Sequence, residues 1–247
     1  MTDTIMLTKN TNQLRQQVAA HVAADSIAQG IYWDEPDKRG CFIGCLAHSD
    51  DPGINEQTYG LPVMLQRIAE SIFESLPDDE AKAFFAALPD AVGCDGKDLS
   101  KVGWQFLAAE LRALPKQPDE VQVVIDPVIA GMDLLASGQE WAAADATWAA
   151  TAARAAAAWA ADAARSAAAA AAWAAADAAA WAAADAAYAA RAAWAAADAA
   201  ARAAALAAAD AAWAAADAAA WAAARRRQRD TLLALISQAP VLEVSND

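Results

Sequence analysis

An alanine tract fills most of the second half of the chain and constrains its fold more than any other feature. In residues 141–224, 60 of 84 residues are alanine, and neither glycine nor proline occurs between Gln139 and Ala239. Alanine has the highest helix propensity because its side chain loses no rotamer freedom on folding. The tract therefore predicts a long α-helix.

The larger residues of the tract recur at helical spacing. From Trp141 to Arg225 these positions are separated by 23 intervals over 84 residues, an average spacing of 3.65 residues. Ala169 is the one position of the series that is occupied by alanine. An α-helix repeats every 3.6 residues, so these side chains form one narrow stripe. Eight of the ten tryptophans belong to it, and we call them the tryptophan stripe: Trp141, Trp148, Trp159, Trp173, Trp181, Trp194, Trp213 and Trp221.

The rest of this helix surface consists of methyl groups, which allow another helix to approach closely. Burial of one methyl-sized group stabilises by about 0.8 kcal/mol, whereas an exposed ion pair on a helix contributes only about 0.3–0.5 kcal/mol. Helix-on-helix packing is therefore the expected driving force, with the tryptophans filling or edging the contact. An uninterrupted helix from about Glu140 to Ser237 would be about 145 Å long. The sequence predicts a homo-oligomer held by a coiled-coil-like or close-packed helix assembly.

The first half of the chain has the pattern of a small all-α domain. Helical periodicity with capping residues or prolines at the starts predicts about five helices and no convincing strand. They are expected at residues 11–29, after Pro62, from Leu76 to about Pro89, from about Ser100 to Pro115, and at 119–136. The predicted domains are thus an acidic helical domain at 1–138, the alanine-rich helix at 139–237 and a flexible tail at 238–247.

Charge limits the classes of partner. The net charge is −14, and residues 1–140 carry 22 acidic and 10 basic side chains. Such a body repels phosphate backbones and anionic lipid, and aspartates interleaved with the tryptophan stripe would do the same. The longest uncharged run of the tract, residues 166–176, is too short for a membrane span. No nucleic acid and no membrane are expected as partners, and three cysteines without a leader sequence favour the cytoplasm.

Two Gly-Cys pairs occur in residues 40–45, Gly-Cys-Phe-Ile-Gly-Cys, between Gln29-Gly-Ile-Tyr-Trp33 and Tyr59-Gly-Leu-Pro62. With Ile72-Phe-Glu-Ser-Leu-Pro77, these segments resemble a family of uncharacterised bacterial and phage proteins. Several members have alanine-rich tails that end in a short leucine-rich helix, as at residues 232–236 here. The resemblance implies a cytoplasmic, phage-linked setting and no particular activity.

The same segment contains the candidate metal ligands. Cys41, Cys45 and His48 lie at i, i+4 and i+7, which would be one face of a helix. Thiolates and imidazole at this spacing can bind zinc, with His21 or Cys94 as a fourth ligand. Apart from zinc at these residues, no cofactor is expected.

Two other interpretations of the segment stay open. The cysteines can be small buried apolar residues, with Gly40 and Gly44 permitting close packing. A catalytic thiol assisted by His48 or His21 is the other, although helical spacing alone creates no base-activated nucleophile. No phosphate-binding glycine motif or serine-triad signature occurs in the sequence. The sequence therefore favours a protein that is not an enzyme.

Basic residues cluster at the end of the tract, where Arg225, Arg226, Arg227 and Arg229 follow one another closely. We expect them to complement helix carbonyls or to dock on the acidic domain rather than to bind nucleic acid.

Three functional hypotheses follow from the sequence. The first is a structural or interaction protein that self-associates through its alanine-rich helix. The second is a phage-type inhibitor that sequesters a host defence protein, and the third is a metal or thiol protein with its site at Cys41, Cys45 and His48.

Overall fold

The computed structural model describes residues 6–114, 119–142, 145 and 218–242. The protein is mostly helical, with eight helices and one two-stranded sheet in these residues. The helices are α1 (Thr11–Ala23), α2 (Phe42–Ala47), α3 (Pro52–Tyr59), α4 (Val63–Phe73), α5 (Asp78–Val92), α6 (Val102–Arg112), α7 (Asp119–Ser137) and α8 (Ala218–Gln238). The strands β1 (Trp33–Asp34) and β2 (Arg39–Gly40) are antiparallel. The all-α prediction is confirmed at this level.

Several predicted elements differ from the observed ones. Helix α3 is not among the helices that the sequence predicts. It forms because Pro52 occupies its first turn and the Asp51 carboxylate accepts the Gly53 N–H at 2.8 Å. Helix α5 continues past Pro89 to Val92 and ends where Gly93 takes a φ of 78°.

Helix α1 ends at Ala23, earlier than the predicted Gln29. The following backbone bonds to the second strand instead of continuing the helix. Ala28 N donates to Gly40 O at 2.8 Å, and Gly40 N donates to Ser26 O at 3.0 Å. These hydrogen bonds satisfy the backbone groups that further helical turns would have used.

Contacts divide the chain into two compact units, Met1–Val102 with Arg225–Asp247 and Gly103–Ala224. In the first unit, phenylalanine rings form the centre of the core. Phe42 of α2 lies 5.4 Å from Phe84 and 5.6 Å from Phe85, both on α5, and 6.2 Å from Phe73 on α4. All four rings are buried, so this cluster joins three helices.

The C-terminal part of α8 belongs to the same unit. Leu232 and Ile236 are fully buried, and Arg226 Nε donates to Glu80 Oε2 at 2.8 Å. Arg229 also pairs with Glu80, at 3.6 Å. The prediction that the basic cluster docks on the acidic N-terminal part is confirmed for these two arginines.

In the second unit, α6 and α7 are joined by the ion pair between Arg112 and Asp133. The indole of Trp141 lies on Gly131 of α7, where an added Cβ would meet the ring at 2.2 Å. Trp141 is the first residue of the tryptophan stripe, and it packs against a residue that has no side chain.

Most of the predicted long helix, with the stripe residues from Trp148 to Trp213, lies outside the described residues. Within them, residues 139–142 are not helical, so the predicted start near Glu140 is not observed. The predicted end near Ser237 agrees with α8, which ends at Gln238. None of the described helices combines the length and apolar character that a bilayer crossing requires.

Replacing Leu232 by alanine tests how firmly α8 belongs to the first unit. Because this side chain is fully buried, Leu232→Ala is expected to lower the free energy of unfolding by about 2–5 kcal/mol. Leu235→Ala is the matched control, since Leu235 is only half-buried on the same helix, and it should cost clearly less. Urea denaturation followed by circular dichroism measures both, and equal costs would contradict the described packing.

Candidate functional site

The loop before α2 is held unusually close to that helix. The carbonyl oxygen of Tyr32 would lie 2.4 Å from a Cβ at Gly40 and 1.4 Å from a Cβ at Gly44. No side chain fits at either position without moving the backbone of Tyr32. Cys41 N donates to Ile31 O at 2.7 Å and strengthens the contact. The two glycines of the Gly-Cys-x-x-Gly-Cys segment thus bring residues 31–32 against the start of α2, as the close-packing interpretation expected.

Helix α2 is too short to place the three predicted metal ligands on one face. It covers Phe42–Ala47, so Cys41 precedes it in an extended conformation, with φ −75° and ψ −169°. His48 follows it in the left-handed conformation, with φ 51°. The assumption that Cys41, Cys45 and His48 share a helix face is therefore wrong, because helical spacing applies only inside a helix.

The two cysteines of the segment point to different partners. Cys41 Sγ donates to Glu70 Oε1 at 2.6 Å, and Cys45 Sγ donates to Gly40 O at 3.1 Å. Burial raises the pKa of the Cys41 thiol and raises the pKa of Cys45 to about 12. Since the thiolate is the nucleophile, these pKa values disfavour the catalytic-thiol alternative. Cys94 is exposed.

Two glutamates lie beside Cys41: Glu70 on α4 and Glu74, the C-cap residue of the same helix. Glu70 is 7% exposed, and its Oε2 accepts a hydrogen bond from Arg67 at 3.2 Å. Glu74 lies one turn further on at the surface, where its Oε2 accepts the Gly30 N–H at 2.8 Å. Burial raises the pKa of both carboxyl groups. Among the histidine, cysteine, aspartate and glutamate side chains of the described residues, one group of three has its possible ligand atoms within 4.8 Å of one another. This group is Cys41, Glu70 and Glu74.

A pocket of about 150 Å³ opens next to this group. Its lining residues are Gly30, Ile31, Tyr32, Cys41, Glu70 and Glu74. The close approach of Tyr32 to α2 forms one wall, and the two carboxylates form the other. We refer to Cys41, Glu70 and Glu74 as the thiol–carboxylate group.

Sequence reasoning did not identify Glu70 or Glu74 as site residues. The sequence contains one signal for them, which is the spacing of two like charges at i and i+4. Such a pair destabilises a helix unless a neighbouring group compensates the charge. Which residue lies opposite α4 depends on the loop at residues 31–41, and no periodicity describes that loop.

The two histidines form a separate pair. His21 Nε2 and His48 Nε2 are 3.0 Å apart, and the ring centroids are 5.2 Å apart. The centroid distance is about the nitrogen separation plus the two ring radii, so the nitrogens point directly at each other. That is the geometry of an N–H···N hydrogen bond rather than of two ligands converging on one ion. Trp33 stacks on His48, with centroids 4.4 Å apart.

Gln17 and Ser26 lie beside this pair. Gln17 Nε2 donates to Cys45 O at 3.0 Å, and it lies 2.7 Å from His48 Nε2 and 3.3 Å from His21 Nε2. Ser26 Oγ lies 2.7 Å from His21 Nδ1. Burial and the neighbouring His48 lower the pKa of His21, so the neutral form of His21 is favoured.

The four predicted ligands are thus divided among three places. Cys41 belongs to the thiol–carboxylate group, His21 and His48 belong to the imidazole pair, and the Cys45 thiol is bonded to backbone. Among the described residues these four side chains do not form one group within ligand distance. Zinc binding by the predicted set stays a prediction that the contacts do not favour.

No protein-family model, curated protein or solved structure matches the chain. The resemblance of the Gly-Cys-x-x-Gly-Cys segment to bacterial and phage proteins therefore stays a prediction.

Substitution of Gly44 tests the contact that forms the pocket wall. Gly44→Ala is expected to destabilise the protein by more than about 1–3 kcal/mol, the typical cost of overpacking, because the new Cβ meets backbone. Gly53→Ala is the control, since its Cβ would meet only the Asp51 side chain, at 3.0 Å. Thermal melting measures both, and a stable Gly44→Ala protein would contradict the described approach of Tyr32.

The imidazole pair predicts a pH dependence of stability. His21 has a folded-state pKa below the ordinary histidine value of 6.5, so the unfolded chain binds the extra proton more readily. The stability of wild type relative to His21→Gln should therefore be constant above about pH 6.5. It should fall below that pH, by at most about 1.4 kcal/mol per pH unit, until the folded-state pKa is passed.

The measurement is urea unfolding of both proteins between pH 7.5 and pH 5, roughly the range over which histidine titrates. Comparison with the variant removes the opposite contribution of Glu70 and Glu74, whose folded-state pKa values are raised. His48→Gln should give an intermediate pH dependence, because it removes the neighbouring charge but leaves His21 buried. A pH-independent difference between wild type and His21→Gln would contradict the described pair.

Proposed function

We propose that the protein is a non-enzymatic interaction protein that self-associates through the long helix predicted within its alanine-rich segment, residues 139–237. The contact that supports this proposal best is the indole of Trp141 on Gly131 of α7. It pairs a stripe tryptophan with a helix residue that has no side chain. The alanine face of a second helix offers a similar surface, with methyl groups in place of the glycine hydrogen.

Attachment of α8 supports the same proposal. Lys97 Nζ is buried and donates to Ile236 O at 3.1 Å and to Ser237 O at 2.7 Å. After the helix, Asp98 N donates to Pro240 O at 2.9 Å, and Leu242 N donates to Gly96 O at 2.8 Å. The C-terminal end of α8 is thereby tied to the rest of the first unit.

Exposed charges align the same helix. Glu80 lies in the first turn of α5 and accepts bonds from Arg226 through two guanidinium nitrogens. A forked pairing of this kind fixes orientation as well as distance. An anchor defined in this way suits a helix that must present one face to a partner.

The partner we propose is a second copy of the chain, because the alanine face and the tryptophan stripe of the predicted helix would be complementary in shape. The stripe supplies rigid apolar side chains, and the methyl surface lets them approach the helix backbone. Tryptophans buried at the centre of an interface commonly contribute 2 kcal/mol or more each, roughly a 30-fold change in dissociation constant.

Static light scattering over a range of concentrations tests the proposal on the full chain. Wild type is expected to have a mass above that of one chain, 25.6 kDa. The triple variant Trp181→Ala, Trp194→Ala and Trp213→Ala should dissociate at concentrations where wild type does not. The matched control replaces Asp177, Asp185 and Asp198 by alanine on the same stripe and should retain the oligomer.

A wild-type mass of one chain at every concentration would refute self-association. In that case, pull-down from bacterial lysate with wild type and with the tryptophan variant tests the alternative inhibitor function. A host protein retained by wild type and lost with the variant would assign the stripe to that partner instead.

A further inference from the structure

The thiol–carboxylate group is assembled from two separate parts of the chain. Cys41 lies between β2 and α2, whereas Glu70 lies on α4 and Glu74 is the residue directly after that helix, four residues further on and on the same side. The phenylalanine cluster holds α2 against α4 through Phe42 and Phe73. The convergence of the three side chains therefore follows from the core and not from a mobile surface loop.

The pocket gives this group access from outside. Cys41 and Glu70 are buried at its inner end, and Glu74 is exposed at its rim. A volume of about 150 Å³ corresponds to roughly five water molecules at about 30 Å³ each. An ion bound by the three side chains would have room for a further ligand on the pocket side.

The acidic groups of this site favour a bound cation. Two carboxyl groups and a thiol face one another, and Arg67 is paired with Glu70 on the side bearing Oε2. Burying such acids is costly unless a proton or a cation compensates. In the described state the Cys41 thiol supplies a proton to Glu70 Oε1. A divalent cation would replace that proton and would compensate Glu74 as well.

We propose that Cys41, Glu70 and Glu74 bind one zinc ion through Sγ and two carboxylate oxygens, with a fourth position open to the pocket. Zinc is the ion that these residue types favour, because it accepts thiolate at about 2.3 Å together with carboxylate at about 2.0–2.2 Å. Magnesium and calcium take oxygen ligands instead. Binding displaces the Cys41 proton to solvent and requires Sγ and Oε1 to move apart from their 2.6 Å contact.

This site goes beyond the proposed interaction function, which does not require an ion. It also differs from the four-ligand set expected from spacing, since it retains Cys41 alone of that set. Cys45 therefore provides a matched control: it is a buried thiol in the same segment but outside the group.

Metal analysis of the full chain, loaded with zinc and then dialysed, tests the proposal. Wild type and Cys45→Ser should retain one equivalent, whereas Cys41→Ser and Glu70→Gln should lose it. Glu74→Gln should weaken zinc binding by at least about tenfold, the lower end of what loss of even an outer-sphere partner costs. Because Glu74 is exposed, this variant tests the site even if a buried substitution prevents folding. Asp79→Asn, at an exposed carboxylate of α5, should leave binding unchanged.

Cobalt provides a second readout that reports the thiolate directly. Protein loaded with Co²⁺ should show thiolate-to-metal charge-transfer absorption, present in Cys45→Ser and absent in Cys41→Ser. The proposal is overturned if wild type retains no zinc, if Cys45→Ser loses as much as Cys41→Ser, or if Glu74→Gln binds like wild type. Zinc bound without the cobalt absorption would place the ion elsewhere and would equally overturn it.

Discussion

The buried ammonium group of Lys97 joins the parts of the first unit that are most distant in sequence. It donates to Ala91 O near the end of α5 and to Ile236 O and Ser237 O near the end of α8. A positive charge at two helix C-termini complements both helix dipoles and satisfies carbonyls that the helices leave open. The backbone of the same residue bonds to Thr8, whose N–H donates to Lys97 O at 2.9 Å. One residue therefore connects the beginning, the middle and the end of the chain.

A second constraint is the contact of Tyr32 with Gly40 and Gly44. It determines which partners the thiols of Cys41 and Cys45 meet. Because the loop backbone occupies the space of two side chains, Cys41 is turned toward α4 and Cys45 toward the backbone of Gly40. Two thiols four residues apart consequently have unrelated roles. The zinc proposal rests on the first thiol alone, and the second supplies its control.

Much of the helical architecture could be predicted from local patterns. Prolines at helix starts located α4 and α5, and helical periodicity located α7 and the end of α8, because these signals act within a few residues. The end of α1 could not be predicted, since the backbone of Ser26 and Ala28 bonds to Gly40 rather than continuing the helix. The prediction that the metal ligands share one helix face was wrong for a related reason. Helix α2 has only six residues, so Cys41 and His48 fall outside it.

The sequence by itself determined that the chain is mostly helical and that its first half is strongly acidic, and it predicts a tryptophan stripe on an alanine surface in the second half. These properties follow from residue type and spacing, which act locally and need no knowledge of the fold. Tertiary structure alone decided that Glu70 and Glu74 lie opposite Cys41, that His21 meets His48 and that Arg226 reaches Glu80. Each of these pairs is far apart in sequence and meets only because the core orients the elements that carry it.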